Sequence, residues 1–413
     1  MRRGLRLLVA AAFVGVVAAA GPVPTASAAP RDAVRDREYW LDDYGIADAW
    51  AVTRGEGVTI AIIDTGVARG VPDLAGAVVG GADFSGVGAA DGQTPVGRDG
   101  PGHGTLVAAL AAGRGTGPGS GIIGSAPGAS LLAVSIGFGS GTDSDRQIAD
   151  AVRWAVDNGA DVINMSLTRN TLEWPVSWDE AFLYAAEHDV IVVAAAGNRG
   201  SGTVSVGAPA TMPGVLTVGG VDADGDPSDE ASAQGITIGV AAPSEGLVGV
   251  TPEGRYLTWA GTSGATPIVA GIVALVRAAH PELDAANVIN RVVTTARDAG
   301  PPGADFTYGF GYVDAFAAVT ADVPAVTANP LGDLAEWVRV NRRAAATPEA
   351  LDIAAEPAPA VEAGVADPTG TLLPSLVTLQ LVGLPALAIA LMAFVGGGLA
   401  VAAVRRFRPS RSR

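Results

Sequence analysis

The chain contains no cysteine, so disulfides, thiolate metal sites and a cysteine nucleophile are excluded. Lysine is absent as well, which removes a lysine base or Schiff base; every basic side chain other than histidine is arginine. Histidine is scarce, with three in 413 residues, so imidazole chemistry must fall on His103, His188 or His280. Positive charge is also short. Twenty-six basic residues face 42 acidic ones for a net −16, and eight of those arginines sit at the two ends of the chain, leaving the part between them near −24. Such an acidic body argues against nucleic acid and against adhesion to anionic lipid. No internal repeat of fixed period is visible. Apolar content, at 49%, is ample for a buried core.

The ends are informative. Residues 1–28 read as a secretory signal peptide: Arg2, Arg3 and Arg6, an apolar stretch from Leu7 to Ala20, then the small-residue pattern Ala26-Ser27-Ala28. At the other end Leu376 to Val404 carries no charge over 29 residues and is followed by five arginines in "RRFRPSRSR". A transmembrane helix over 375–404 with a cytoplasmic basic tail at 405–413 is expected, and the positive-inside rule turns the body outward.

Between the ends, "GVTIAIIDTG", "ASLLAVSI", "GADVINMSL", "DVIVVAAAGN" and "GVLTVGGV" are short β-branched runs, and "SDRQIADAVRWAVDNG" and "SWDEAFLYAAEH" are helix-like. This alternation predicts an α/β domain, a mostly parallel sheet covered on both faces, over residues 41–322. Residues 29–40 form a short N-terminal arm. From Val323 to Pro374 the chain turns rich in Ala, Pro and acids and reads as a linker, with one amphipathic piece at "LGDLAEWVRVNRR".

Three polar residues stand among glycines or other small residues. Asp64, in "IAIIDTGV", closes a predicted buried strand, where ligand sites of parallel sheets form; taken alone it is a common turn residue. His103, in "GPGHGTLVAALAAG", starts an apolar helix between two glycines that permit close backbone approach. His188 and His280 fall near helix ends and fit a structural role. Ser263, in "GTSGATPIVAG", precedes an apolar helix and by itself reads as an N-cap. Taken together they stand in the order Asp, His, Ser on an α/β scaffold, one of the chain orders in which a Ser-His-Asp triad occurs.

The segments "IAIIDTGV", "GHGTLVAALAAG", "VVAAAGN" and "GTSGATPIVAG" resemble the Asp, His, Asn and Ser motifs of the subtilisin-like serine proteases, the subtilases, and the resemblance runs from about Trp40 to Ala318. It implies a three-layer subtilisin-like fold, with Asp64 orienting the imidazole, His103 as general base and acid, Ser263 as nucleophile and Asn198 as an oxyanion donor. Without the other motifs Asn198 would read as a capping or turn residue. The chemistry agrees: a serine hydroxyl needs an adjacent base, and imidazole titrates in the right range. The N–H of Ser263 at a helix start would be a second oxyanion donor.

The resemblance also implies an extended peptide or protein substrate beside the sheet, with Ser166, Leu167 and Thr168 as one wall and Ala195, Ala196 and Gly197 as the base of the primary pocket. Departures are specific to this chain. Thr168 and Arg169 stand where the family commonly has glycine after the Ser-Leu pair, and Gly264 and Ile268 replace bulkier or aromatic neighbours of the serine. Signal, short arm, subtilase domain, linker, span and basic tail together resemble the mycosins, membrane-anchored subtilases associated with type VII secretion, although mycosin domains usually carry cysteine pairs. A type VII secretion complex is thus an expected partner. A structural component of such a complex, with dispensable proteolysis, is the alternative. No metal ligands are assigned: "DADGDPSDEASA" departs from the EF-hand pattern, and the structural calcium that subtilases often bind has no identifiable site here.

Overall fold

The computed structural model describes residues 30–97, 102–138 and 143–342. The chain divides into two units at Thr347 and Pro348, and every described residue belongs to the first. The segments expected as a signal peptide at 1–28, a transmembrane helix at 375–404 and a basic tail at 405–413 lie outside the described residues, as does the part of the expected linker beyond Arg342.

In chain order, helices α1 (Trp40–Asp43) and α2 (Ile46–Ala49) lead into strand β1 (Thr59–Asp64), followed by β2 (Val78–Asp83), α3 (His103–Ala112) and β3 (Ser130–Ser135). Then come α4 (Ser144–Asp157), β4 (Val162–Met165), α5 (Val176–Glu187), β5 (Ile191–Ala195), β6 (Leu216–Val221) and β7 (Ile238–Pro243). The hairpin β8 (Leu247–Val250) and β9 (Tyr256–Trp259) precedes α6 (Thr262–Ala279), α7 (Ala285–Thr294), α8 (Ala315–Thr320) and α9 (Leu334–Asn341).

Seven strands form one sheet in the order β2-β3-β1-β4-β5-β6-β7, each pair parallel; the five β-branched runs become β1, β3, β4, β5 and β6 of the expected parallel sheet, whereas β2 and β7 lie outside those runs. Both faces are covered. Ile60 and Ile62 of β1 point into a core with α3 and α6, whereas Ala61 and Ile63 point into a second core with α4 and α5. The alternation follows from the two-residue period of a strand. The chain leaves β1 toward β2 on one side and leaves β4 toward β5 on the other. The carboxyl ends of β1 and β4 therefore flank a topological switch point, where a crevice opens in such sheets.

Helix α6 is long and apolar enough to cross a membrane, yet 78% of it is buried in the domain, so its composition is that of a core helix. Residues 323–342, assigned to the linker from composition, remain on the domain in the structure. Asn329 donates to the Gly214 carbonyl at 3.0 Å, Leu334 is buried, and Trp337 packs on Trp174 at 4.3 Å. Arg342 ends the described chain with a hydrogen bond to Asp179 at 2.8 Å. The amphipathic pattern of α9 gave it a face to bury, and α5 supplies the partner. His188 and His280 terminate α5 and α6 and bond the carbonyls of Tyr184 and Val319, the structural roles their positions suggested.

Candidate active site

Asp64 is the last residue of β1 and is 1% exposed. Its carboxylate faces the first residue of α3: Nδ1 of His103 lies 2.9 Å from both Oδ1 and Oδ2, and Oδ1 also accepts the Thr65 N–H at 2.6 Å. Gly104 makes this approach possible. A Cβ there would collide with the Gly66 carbonyl and come within 3.2 Å of the Asp64 Cβ, so the helix start can lie against the end of β1 only without a side chain. Gly104 N–H donates to Thr65 Oγ1 at 3.0 Å, and Thr105 Oγ1 accepts from Ala68 N–H, tying the helix to the loop after β1.

Burial acts to lower the His103 pKa, but the charge and hydrogen bond of Asp64 more than offset it, and the imidazole titrates above its ordinary value. With Nδ1–H held by the carboxylate, Nε2 is the acceptor nitrogen of the neutral ring. The His103 side chain is 31% exposed, and its ring meets Trp259 edge to face at 5.9 Å.

Ser263 occupies the first turn of α6. Its N–H has no intrahelical carbonyl to reach, as for any residue in a first turn. Its own carbonyl is freed by Pro267, which has no N–H to donate four residues on, and Ser166 Oγ takes that carbonyl at 2.8 Å. In return the Ser263 hydroxyl donates to the Ser166 carbonyl at 3.2 Å. Among the described residues Ser263 and His103 share no hydrogen bond in this conformer; the hydroxyl rests on the loop after β4. Ser166 Oγ in turn accepts from the Asn164 amide at 3.0 Å.

Asn198 follows β5. Its Oδ1 accepts both the N–H and the hydroxyl of Thr262, each at 2.8 Å, so it caps α6 from a separate segment. Thr262 Oγ1 also accepts the Gly197 N–H at 3.1 Å. With Oδ1 held by two donors, the Nδ2 end has no protein acceptor among the described residues and lies over Gly261, whose φ of 142° suits glycine. The capping role and the presentation of a free amide are thus the same arrangement.

Of the residues expected to form the substrate wall, Ser166 is buried against Ser263, and Leu167 and Thr168 are half-buried. Ala195, Ala196 and Gly197 are buried, Gly197 with φ 101°. The sequence reading missed Thr262, which joins Asn198 to α6, and Trp259, which touches His103 and also lies against Gly264. A Cβ on Gly264 would collide with Leu247 Cδ1 and sit 3.2 Å from the Trp259 ring, so this departure from the family makes room first for Leu247 and then for the indole; Ile268, the other, is fully buried in the core. Among the described residues no group of three His, Asp or Glu converges in a manner suited to a metal ion. The arrangement holds an imidazole in one tautomer, presents a hydroxyl at the positive end of a long helix, and leaves two N–H donors, Ser263 N and Asn198 Nδ2, without partners among the described residues.

Comparison with known proteins agrees. Residues 55–311 match the model of the subtilase family. Subtilisin DY of Bacillus licheniformis is 37% identical over 267 residues, covering 64% of this chain and 92% of that protein, and thermitase of Thermoactinomyces vulgaris is 36% identical over 284 residues, covering 68% and 96%. Among solved structures, MycP1 from the ESX-1 type VII secretion system superposes with a TM-score of 0.62 at 30% identity, covering 74% of this chain and 92% of that one. The chain belongs to the subtilase family and is a subtilisin-like serine peptidase.

Proposed function

We propose that this peptidase is a membrane-anchored extracytoplasmic endopeptidase in which Asp64, His103 and Ser263 form the catalytic triad and Asn198 the oxyanion donor. The observation that carries the assignment is the paired 2.9 Å approach of both Asp64 oxygens to His103 Nδ1. It leaves Nε2 as the base, and among the described residues Asp64 is the carboxylate that pairs with the ring. A rotation about χ1 lifts the Ser263 hydroxyl off the Ser166 carbonyl. Its proton then passes to His103 Nε2 as Oγ bonds to the scissile carbonyl carbon. The developing oxyanion takes hydrogen bonds from Ser263 N–H and Asn198 Nδ2 at the positive end of α6. His103 next gives its proton to the leaving amine, whose bond to carbon breaks to leave an acyl-enzyme. Water then gives a proton to the same nitrogen as its oxygen bonds to the acyl carbon; the bond to Ser263 Oγ breaks, His103 returns the proton to Oγ, and the acid is released.

Protein or peptide substrate lies extended along Ser166 to Thr168, with its primary side chain over Ala195, Ala196 and Gly197. The uncharged stretch at 375–404 tethers the domain to the membrane, and the likeness to MycP1 supports a partner in a type VII secretion complex. The test is labelling of the full-length protein by an alkyl fluorophosphonate. Wild type labels, whereas Ser263→Ala and His103→Ala do not. A folded wild-type protein that never labels and leaves peptides intact sinks the assignment. Complementation of secretion by Ser263→Ala would favour a structural role instead.

A further inference from the structure

Two glycines frame the primary pocket proposed above: Gly197 at its base, and Gly207 on a segment packed against Thr168 and Arg169. Thr168 stands between them. A Cβ on Gly197 would lie 3.1 Å from Thr168 Cγ2, and a Cβ on Gly207 would lie 2.8 Å from Thr168 Oγ1, so the threonine reaches both glycines at once. Its rotamer is held, since Oγ1 donates to the Arg169 carbonyl at 3.1 Å. Its backbone is held too. Arg169 N–H donates to the Ala208 carbonyl at 2.8 Å, its guanidinium pairs with Asp145, and the Arg169 carbonyl closes directly on Gly207. On the same side of Gly197, the methyl of Thr203 would meet that Cβ at 2.5 Å; Thr203 is 3% exposed and its hydroxyl bonds Asn170 at 2.5 Å. The methyl groups of Thr168 and Thr203 therefore both stand against Gly197, and each side chain is held by a hydrogen bond of its hydroxyl.

Resting on the serine-protease reading above, we infer that Thr168 is a specificity-determining residue that closes the primary pocket to all but small side chains, so that cleavage follows Gly, Ala or Ser. Relative to glycine, threonine adds three heavy atoms at the point where a larger substrate side chain would enter. A misfit of one methylene in an apolar pocket already changes kcat/KM by roughly 10- to 200-fold. Leu and Phe exceed Ala by more than that.

The experiment uses the full-length protein and two peptidyl phosphonate probes that differ only in the residue next to phosphorus, Ala or Phe. Wild type is expected to label faster with the Ala probe. Thr168→Gly should raise the Phe-to-Ala ratio of labelling rates by at least about tenfold. Thr168→Ser, which keeps the hydroxyl bond to the Arg169 carbonyl and removes only the methyl, should raise it less. A wild type that prefers the Phe probe, or a ratio that neither variant moves, overturns the inference. If neither probe nor a plain alkyl fluorophosphonate labels folded wild type, the catalytic reading beneath it has failed instead.

Discussion

Gly104→Ala places a methyl group where helix α3 lies against β1. The new carbon would overlap the Gly66 carbonyl oxygen and sit 3.1 Å from the Gly66 carbonyl carbon and 3.2 Å from the Asp64 Cβ. Reaching ordinary contact with that oxygen requires a retreat of about 1 Å. His103 is the preceding residue, so its Nδ1 moves with the helix start, from 2.9 Å toward about 4 Å from the carboxylate, beyond hydrogen-bond range. Misplacement on this scale costs about 10²-fold in rate, or about 2.7 kcal/mol in the barrier. Stability moves less. Alanine is the better helix former by about 1 kcal/mol, while overpacking costs about 1–3 kcal/mol, so the net loss is at most about 2 kcal/mol. The assay is the second-order rate of fluorophosphonate labelling across pH, with urea unfolding beside it. The variant should stay folded, label about 100-fold more slowly, and show a lower pH midpoint as Asp64 recedes from the imidazole. Labelling within about threefold of wild type, at an unchanged midpoint, would refute the claim that Gly104 sets the Asp64 to His103 distance.

Two further outcomes follow from the site. Wild-type labelling should rise with pH and level off above the raised His103 pKa, because only the neutral imidazole accepts a proton; Asp64→Asn leaves burial unopposed, so both plateau and midpoint should fall, and a midpoint at or above wild type would contradict the electrostatics. Asn198→Ala removes the proposed oxyanion donor and the cap on Thr262 together: peptide hydrolysis should fall by roughly 10²- to 10³-fold and stability by about 1 kcal/mol, and loss of only one of the two would separate the proposed role from the cap.

The inner strands were legible because strands buried on both faces must be apolar at nearly every position, as β1 and β5 are. β2 was not. It is a half-buried edge strand with Gly80 and Gly81 at its centre, so neither composition nor alternation marks it. The segment 323–342 was also misjudged in outline, because a few anchors, Leu334, Trp337 and Arg342, hold an otherwise Ala- and Pro-rich stretch to the domain.

For the site, short-range sequence determined the candidates. Asp64, His103, Asn198 and Ser263 each stand at the end of a strand or the start of a helix, among small residues, and those local contexts are written in consecutive letters. What the tertiary structure decided is which groups share hydrogen bonds. Residues 39 and 97 positions apart meet as Asp64 with His103 and Ser166 with Ser263, and the latter pair shows the hydroxyl resting on a carbonyl that no motif points to. It also decided that Asn198 caps α6 while its amide stays free to donate, that Trp259 lies against the imidazole, and that Thr168 stands between two glycines. The physical reason is that a motif constrains the backbone of its own segment, whereas hydrogen bonding and pocket width depend on how separate segments are packed by the cores on either side of the sheet.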